Sequence, residues 1–428
     1  MRVLVTGAYG FIGSAVTARL VADGHQVVGV GRDIARAALA LPDMRWIRLD
    51  IAKARSPDDW LPHLKDVDAV VNCAGALQDN PSDNVHAVHV EGTLALFQAC
   101  ERAGVKRVVH ISAIGVDADT AFARTKREAD DALMKSDLDW IVLRPSIVVG
   151  RNVYGGTALI RALAALPVLP LGSRNALLQP VQVTDLAEAI AHLLRPETPA
   201  KNLLEVAGPE RMRLSEMVGA YRKWLGYRPA KVVRIPGWCE AFAFRLGDCI
   251  SWLGWRPPVR TTALRQLQRD VTGDDKGWTS LTGVTPLRLA DALARNPASV
   301  QERWFSKLLL LKPLLIGGLG LFWIATGLIT LGPARDAGIF LLLQAGLGTY
   351  AVPAAIGGAL LDLLIGVGIA IKKTARLALW AAIAVSLGYL LLGGVLLPKL
   401  WADPLGPLVK IVPVLLASFA ALVILDDR

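Results

Sequence analysis

Cysteine is scarce in this chain: Cys73, Cys100, Cys239 and Cys249 are all there is in 428 residues. No two form a C-x-x-C pair, which argues against a zinc knuckle or a disulfide framework. Buried small apolar side chains in a reducing compartment are the expectation. Aromatic residues make up 6% and never interleave with a basic stripe. Nucleic acid is therefore not expected as a partner, despite the net charge of +10. No cleavable leader precedes the first apolar run, so the N-terminal part is expected to stay in the cytoplasm. Charge itself runs short late in the chain. Up to about residue 300 it recurs every few positions, whereas beyond Trp304 long apolar runs alternate with short charged stretches. With 53% hydrophobic residues and a mean hydropathy of +0.42, the chain is too apolar for an ordinary soluble protein of this length. Its length also exceeds what one core usually organises, so at least two domains are expected. The basic balance suits a surface facing anionic lipid.

Met1–Thr6 is a short β-branched run that fits a buried parallel strand. Gly7-Ala8-Tyr9-Gly10-Phe11-Ile12-Gly13 follows, then an apolar-periodic helix to about Ala22. This is G-x-x-G-x-x-G between strand and helix. There glycine permits a tight turn, close approach of a pyrophosphate to backbone amides, and close packing of helix on strand. Gly7, Tyr9, Gly10, Phe11, Ile12 and Gly13 are the expected dinucleotide contacts, with phosphate at the helix N-terminus. A second strand, Gln26–Val30, ends at Gly31-Arg32 where NAD-specific sites carry a carboxylate for the ribose hydroxyls. A guanidinium there suits a 2′-phosphate, so NADP(H) is expected in preference to NAD(H); the alternative is that Arg32 is a solvated strand-end charge. Strands at Trp46–Leu49, Ala69–Asn72, Arg107–Ser112 and Trp140–Leu143 alternate with helical stretches, including Val85–Arg102 and Arg127–Lys135. The prediction is an α/β Rossmann-type doubly wound parallel sheet with a small substrate lobe, followed by an all-α membrane bundle of about four helices.

The TGAYGFIG opening, Asp50-Ile51, NCAG at Asn72–Gly75 and VEGT at Val90–Thr93 resemble the extended and atypical short-chain dehydrogenases/reductases, the epimerase/dehydratase-like group. LRPSIVVG at Leu143–Gly150, PVQVTDLA at Pro180–Ala187 and AGPE at Ala207–Glu210 strengthen the likeness, which covers about residues 1–295. The resemblance implies that Asp50 and Ile51 lie against adenine, that Cys73, Ala74 and Gly75 line the cofactor, and that Lys126 meets the nicotinamide ribose. It also implies a catalytic Ser112 and Lys126. The tyrosine that completes such sites is missing: Phe122 stands four residues before Lys126 and has no proton to give. Either Tyr154, Ser146 or His110 supplies the proton, or the domain binds NADP(H) without standard carbonyl chemistry. The nearer likeness is to the atypical branch that includes the NADPH-binding accessory subunit of respiratory complex I, with a looser match over Pro257–Asp270 and Leu281–Pro286.

Residues 1–235 are thus read as the nucleotide domain and 236–300 as a substrate-lobe connector. In the connector, Trp238, Phe242, Phe244, Trp252 and Trp255 mark either an interfacial amphipathic helix or a core helix of the lobe. Residues 305–428 are the membrane domain, with spans at about 308–331, 354–371, 377–397 and 409–425. The interrupted run Ala337–Val352 reads as a short re-entrant or interfacial piece. Lys372, Lys373 and Arg376 between two spans put that loop, the nucleotide domain and both termini in the cytoplasm, at the inner membrane. Gly358–Asp362 and Trp401–Pro407, with Lys410, Asp427 and Arg428, resemble the DoxX-like family of four-helix membrane proteins. Asp362 lies mid-span, where a carboxylate is costly and is either functional or bonded to a neighbouring helix. Expected partners are membrane lipid and either a membrane protein complex or a second copy of the chain.

Overall fold

The structure is a computed structural model describing residues 1–425 except 82, 154, 173–174, 258 and 262–268. The chain forms two compact units, residues 1–249 with 257–306, and residues 250–256 with 307–428.

In the first unit, seven strands form one sheet: β1 (Arg2–Thr6), β2 (Gln26–Gly31), β3 (Arg45–Arg48), β4 (Ala69–Asn72), β5 (Arg107–Ile111), β6 (Asp139–Pro145) and β7 (Asn202–Val206). Every pairing is parallel, in the order β3-β2-β1-β4-β5-β6-β7. Strands buried on both faces need apolar side chains at consecutive positions, and β1 supplies them. Val3 and Val5 face one core with Val16, Leu20 and Leu186, while Leu4 faces another with Val70, Leu96 and Phe97. The strand order reverses between β1 and β4. There Thr6 and Asn72 are in register, and the crevice beyond the strand ends is where such folds take ligands.

Three helices border that crevice: α1 (Phe11–Ala22), α2 (Gly92–Ala103) and α3 (Ala121–Met134). The helix to which Arg127–Lys135 is expected to belong runs Ala121–Met134, and the Thr120 side chain caps it by accepting a bond from the Ala123 amide. A π-helical turn, Ala87–Glu91, leads into α2. A smaller lobe has its own core of Val149, Ile160, Leu178, Met217, Tyr221 and Leu289, so it draws on chain well before residue 236. In the connector helix, Gly237–Trp252, Trp238, Phe242 and Trp252 are 73%, 65% and 68% exposed, whereas Phe244 is buried. Cys249 is also exposed and Cys239 half-buried, so only part of the cysteine expectation holds; Cys100 is buried, and burial pushes its thiol up to about 12.

The second unit is helical. Among the described residues, three helices are long and apolar enough to cross a bilayer: Val300–Leu331, Gly348–Ala370 and Lys372–Leu396. The fourth expected span forms only Ile411–Val423, whose 13 residues fall short of the roughly 20 that a hydrocarbon core requires. The interrupted run forms a 10-residue helix, Arg335–Gln344. The expected loop at Lys372–Arg376 is also absent: one helix ends at Ala370, the next starts at Lys372, and these cations occupy its first turns. The Lys372 ammonium donates to Leu425 O and lies 4.6 Å from the Trp255 ring centre. Leu314, Leu321, Leu364 and Val395 are exposed on the outer faces, as side chains meeting lipid would be.

One very close backbone approach in the nucleotide unit lies at α1. A Cβ on residue 13 would sit 2.1 Å from Gly7 O, so nothing larger than glycine fits. Gly13→Val is expected to destabilise this unit by about 1–3 kcal/mol and to remove dinucleotide binding. Thermal unfolding in detergent, followed with and without NADPH, checks both.

Candidate functional site

Gly7 adopts φ +61°, and a Cβ there would meet Cys73 O at 3.1 Å. The chain therefore leaves β1 in a conformation that favours glycine, pressed against the loop after β4. The Gly10 amide donates to Gly7 O, and α1 starts at Phe11 with no side chain capping it. The uncapped first-turn amides of Phe11, Ile12 and Gly13 are anion donors in need of an acceptor. Behind the turn, the Thr6 hydroxyl donates to Asn72 Oδ1 at 2.5 Å, and the Ala74 amide donates to the same oxygen at 3.3 Å. That pair fixes Cys73-Ala74-Gly75 beside the glycine loop. A glycine cradle, bare helix amides and the small residues of the β4 loop fit a dinucleotide.

At the end of β2, Gly31 has a reason beyond the lack of a carboxylate. A Cβ there would lie 2.1 Å from the Tyr9 ring, so the ring fills the space a strand-end side chain would need. The Tyr9 phenol oxygen accepts a bond from the Asp33 amide. Arg32 is paired with Asp83, Nη2 to Oδ1 at 2.7 Å, a partner 51 residues away that inspection of the loop alone does not find. Asp50 caps its own turn by accepting from the Ala52 amide. The Ile51 carbonyl lies where a Cβ on Gly92 would be, 2.0 Å away, so α2 begins hard against this loop.

Lys126 is 4% exposed and donates from Nζ to Ile111 O at 2.7 Å. Burial lowers its pKa to about 8, opposed by Asp130 one helical turn on. Gly75 faces it: a Cβ there would lie 3.7 Å from Nζ and 3.4 Å from His89 Nε2. The structure thus brings Gly75, His89 and Lys126 together, and sequence reasoning missed His89. Its Nε2 accepts from the Ala76 amide, which leaves the proton on Nδ1 facing Thr125 Oγ1 at 2.9 Å. Burial, then the Lys126 charge, holds His89 neutral well below its ordinary value. Phe122 packs edge-on against this ring at 5.5 Å.

Ser112 does not face this group as a free hydroxyl. Its Oγ donates to Asp130 Oδ2 at 2.9 Å, and Arg144 holds the same oxygen at 2.9 Å. Asp130 is fully buried; burial raises its carboxyl while Ser112 and Arg144 pull it back. Of the two other described candidate donors, Ser146 is engaged, while His110 Nε2 makes no hydrogen bond to any described residue. Ser146 donates to Gln179 O, and His110 takes the Asn72 amide proton on Nδ1 while its Nε2 stands 3.6 Å from Asp130 Oδ1. Tyr154 lies outside the described residues.

Residues 3–207 match the family model described as NAD dependent epimerase/dehydratase family, and residues 320–419 match the DoxX-like family. The chain joins an NAD-dependent epimerase/dehydratase-family domain to a DoxX-like domain. Uncharacterised proteins of Mycobacterium tuberculosis and Mycobacterium bovis are 26% identical over 220 residues, 51% of this chain but only 23% of their own length. The ceramide reductase of Caulobacter vibrioides is 24% identical over 60% of this chain and 80% of its own. NADH dehydrogenase (ubiquinone) 1 alpha subcomplex subunit 9 of Mus musculus is 26% identical over 50% and 58%. Among solved structures, the dTDP-glucose 4,6-dehydratase of Streptomyces venezuelae with NAD and TYD bound superposes with a TM-score of 0.53 at 23% identity, covering 71% of this chain and 97% of that one. That likeness supports the fold.

Because the Lys126 pKa falls from 10.5 to about 8 on folding, the folded state binds fewer protons between those values. Stability therefore rises with pH across that window and is penalised below it. Lys126→Met is expected to remove that slope, worth on the order of 3 kcal/mol at its full extent. Melting temperatures of both proteins at pH 7.5 and 10 measure the difference.

Proposed function

We propose that the protein is a membrane-anchored, NADP(H)-dependent oxidoreductase that reduces a lipophilic carbonyl or quinone-like substrate beside the bilayer. The observation that carries this reading is Lys126: a buried ammonium tuned to about 8, next to Gly75, in a site whose usual phenol is replaced by Phe122. Bound NADPH supplies a hydride. Gly7, Gly10 and the first-turn amides of α1 hold its pyrophosphate, and Ala74 and Gly75 line its nicotinamide half. Lys126 Nζ then gives a proton to the substrate oxygen and recovers one from solvent; a pKa near working pH suits that exchange. Ser112 acts at one remove, through Asp130. His89, already neutral with Nε2 occupied by the Ala76 amide, orients the Gly75–Ala76 backbone.

NADP(H) is favoured over NAD(H) because β2 ends in Gly31-Arg32, with the Tyr9 ring where a ribose-binding carboxylate would stand. Arg32 would take the 2′-phosphate in exchange for, or together with, its pairing to Asp83. The apolar helices anchor the chain in the inner membrane, with the cations at Lys372, Lys373 and Arg376 favouring a cytoplasmic nucleotide unit. The curated name of one relative, ceramide reductase, fits a lipid-like substrate class.

Phe122 supports a second reading, a noncatalytic NADPH-binding sensor or assembly factor for a membrane complex. One measurement tests the cofactor choice that both share, and a second separates the two readings. Arg32→Ala is expected to weaken NADPH binding about tenfold or more and leave NADH binding unchanged, while Asp83→Asn strengthens NADPH binding; equal affinities for both nucleotides in the wild type would refute the cofactor choice. The full chain in mild detergent should oxidise NADPH with long-chain ketones or quinones. Micromolar NADPH binding without oxidation against any of them would leave the noncatalytic reading standing.

A further inference from the structure

The second unit contains a cleft of about 260 Å³ whose lining includes Phe322, Trp323, Asp362, Ser386, Tyr389 and Lys410. Its walls are mainly apolar and aromatic, which makes the two charged groups conspicuous. Asp362 is 7% exposed and lies eleven residues into Ala351–Ala370, roughly 16 Å along the helix. A carboxylate at that depth needs compensation. It receives the Tyr389 hydroxyl at 3.1 Å, but no ion pair joins it to any described residue. Lys410 borders the same cleft and likewise pairs with no described carboxylate. A buried carboxylate and an exposed lysine therefore border one small space without pairing with each other. A ligand with a single charge would satisfy one and be repelled by the other. A neutral apolar ligand would satisfy neither.

We propose that this cleft binds a zwitterionic amphiphile. A primary ammonium group seats against the Asp362 carboxylate and the Tyr389 oxygen, and an acidic group, phosphate or carboxylate, reaches Lys410. The faces of Phe322 and Trp323 take the adjoining carbon chain and add cation–π attraction for the ammonium. An aminophospholipid headgroup and a free small zwitterion share this chemistry. The inference is independent of what the nucleotide unit does.

The test uses the full chain in mild detergent and native mass spectrometry, with dioleoylphosphatidylethanolamine, dioleoylphosphatidylglycerol and free phosphoethanolamine as probes. Phosphatidylethanolamine should be retained about tenfold better than phosphatidylglycerol, which lacks the ammonium. Asp362→Asn should abolish that preference, and Lys410→Gln should weaken retention of both lipids. Competition by free phosphoethanolamine identifies a headgroup-sized ligand; retention of the lipid without such competition identifies the lipid itself. Should Asp362→Asn fail to fold, Tyr389→Phe serves instead, and is expected to lower phosphatidylethanolamine retention while sparing phosphatidylglycerol. Equal retention of the two lipids by the wild type, or a preference untouched by Asp362→Asn or by Tyr389→Phe, overturns the proposal.

Discussion

The backbone of α1 comes so close to the turn after β1 that the Gly7 carbonyl occupies the place of a residue-13 side chain. Much of the nucleotide unit is arranged around that approach. It forces Gly7 into a positive φ, presses the turn onto Cys73 and Ala74, and leaves the first amides of α1 pointing into the crevice with no side chain to cap them. The Thr6–Asn72 bond ties the two central strands at the same level. What results is a positively polarised, backbone-lined pocket mouth whose donors need an anion.

The second feature is charge held without full compensation. Around β5 and α3, Lys126, Asp130, Arg144 and His110 share a buried space in which Ser112 and Arg144 both serve one carboxylate oxygen. The other oxygen of Asp130 is left with a histidine at 3.6 Å. That arrangement lets burial dominate at Lys126 and brings its pKa to about 8. Buried charge of this kind is expensive, and its survival beside the nucleotide crevice is the physical reason to assign it chemistry rather than stability.

The parts legible in the sequence were those written in local pattern. The glycine loop, the β-branched runs and the long apolar stretches each announce one element, because period and composition act over a few residues. What stayed illegible depends on partners far apart in the chain. Asp83 on Arg32, Tyr9 over Gly31, and Asp130 on Ser112 arise only once the sheet and its helices are assembled. Helix ends in the apolar half misled for a related reason. Hydropathy sees Lys372, Lys373 and Arg376 as a loop, yet they form the first turns of the next helix, with Lys372 satisfied by the Leu425 carbonyl and the Trp255 ring. The same scale sees a full span at 409–425, whereas the helix holds only Ile411–Val423.

The account depends most on Lys126 standing in for the absent phenol. The most direct measurement is the pH profile of NADPH oxidation by the full chain in detergent, compared with Lys126→Met while nucleotide binding is checked separately. The account predicts a rate that falls as pH rises through about 8, in step with loss of the Lys126 proton, and a variant that binds NADPH but has lost that limb along with most of its rate. A flat profile across that range, or a variant as active as the wild type, would contradict it.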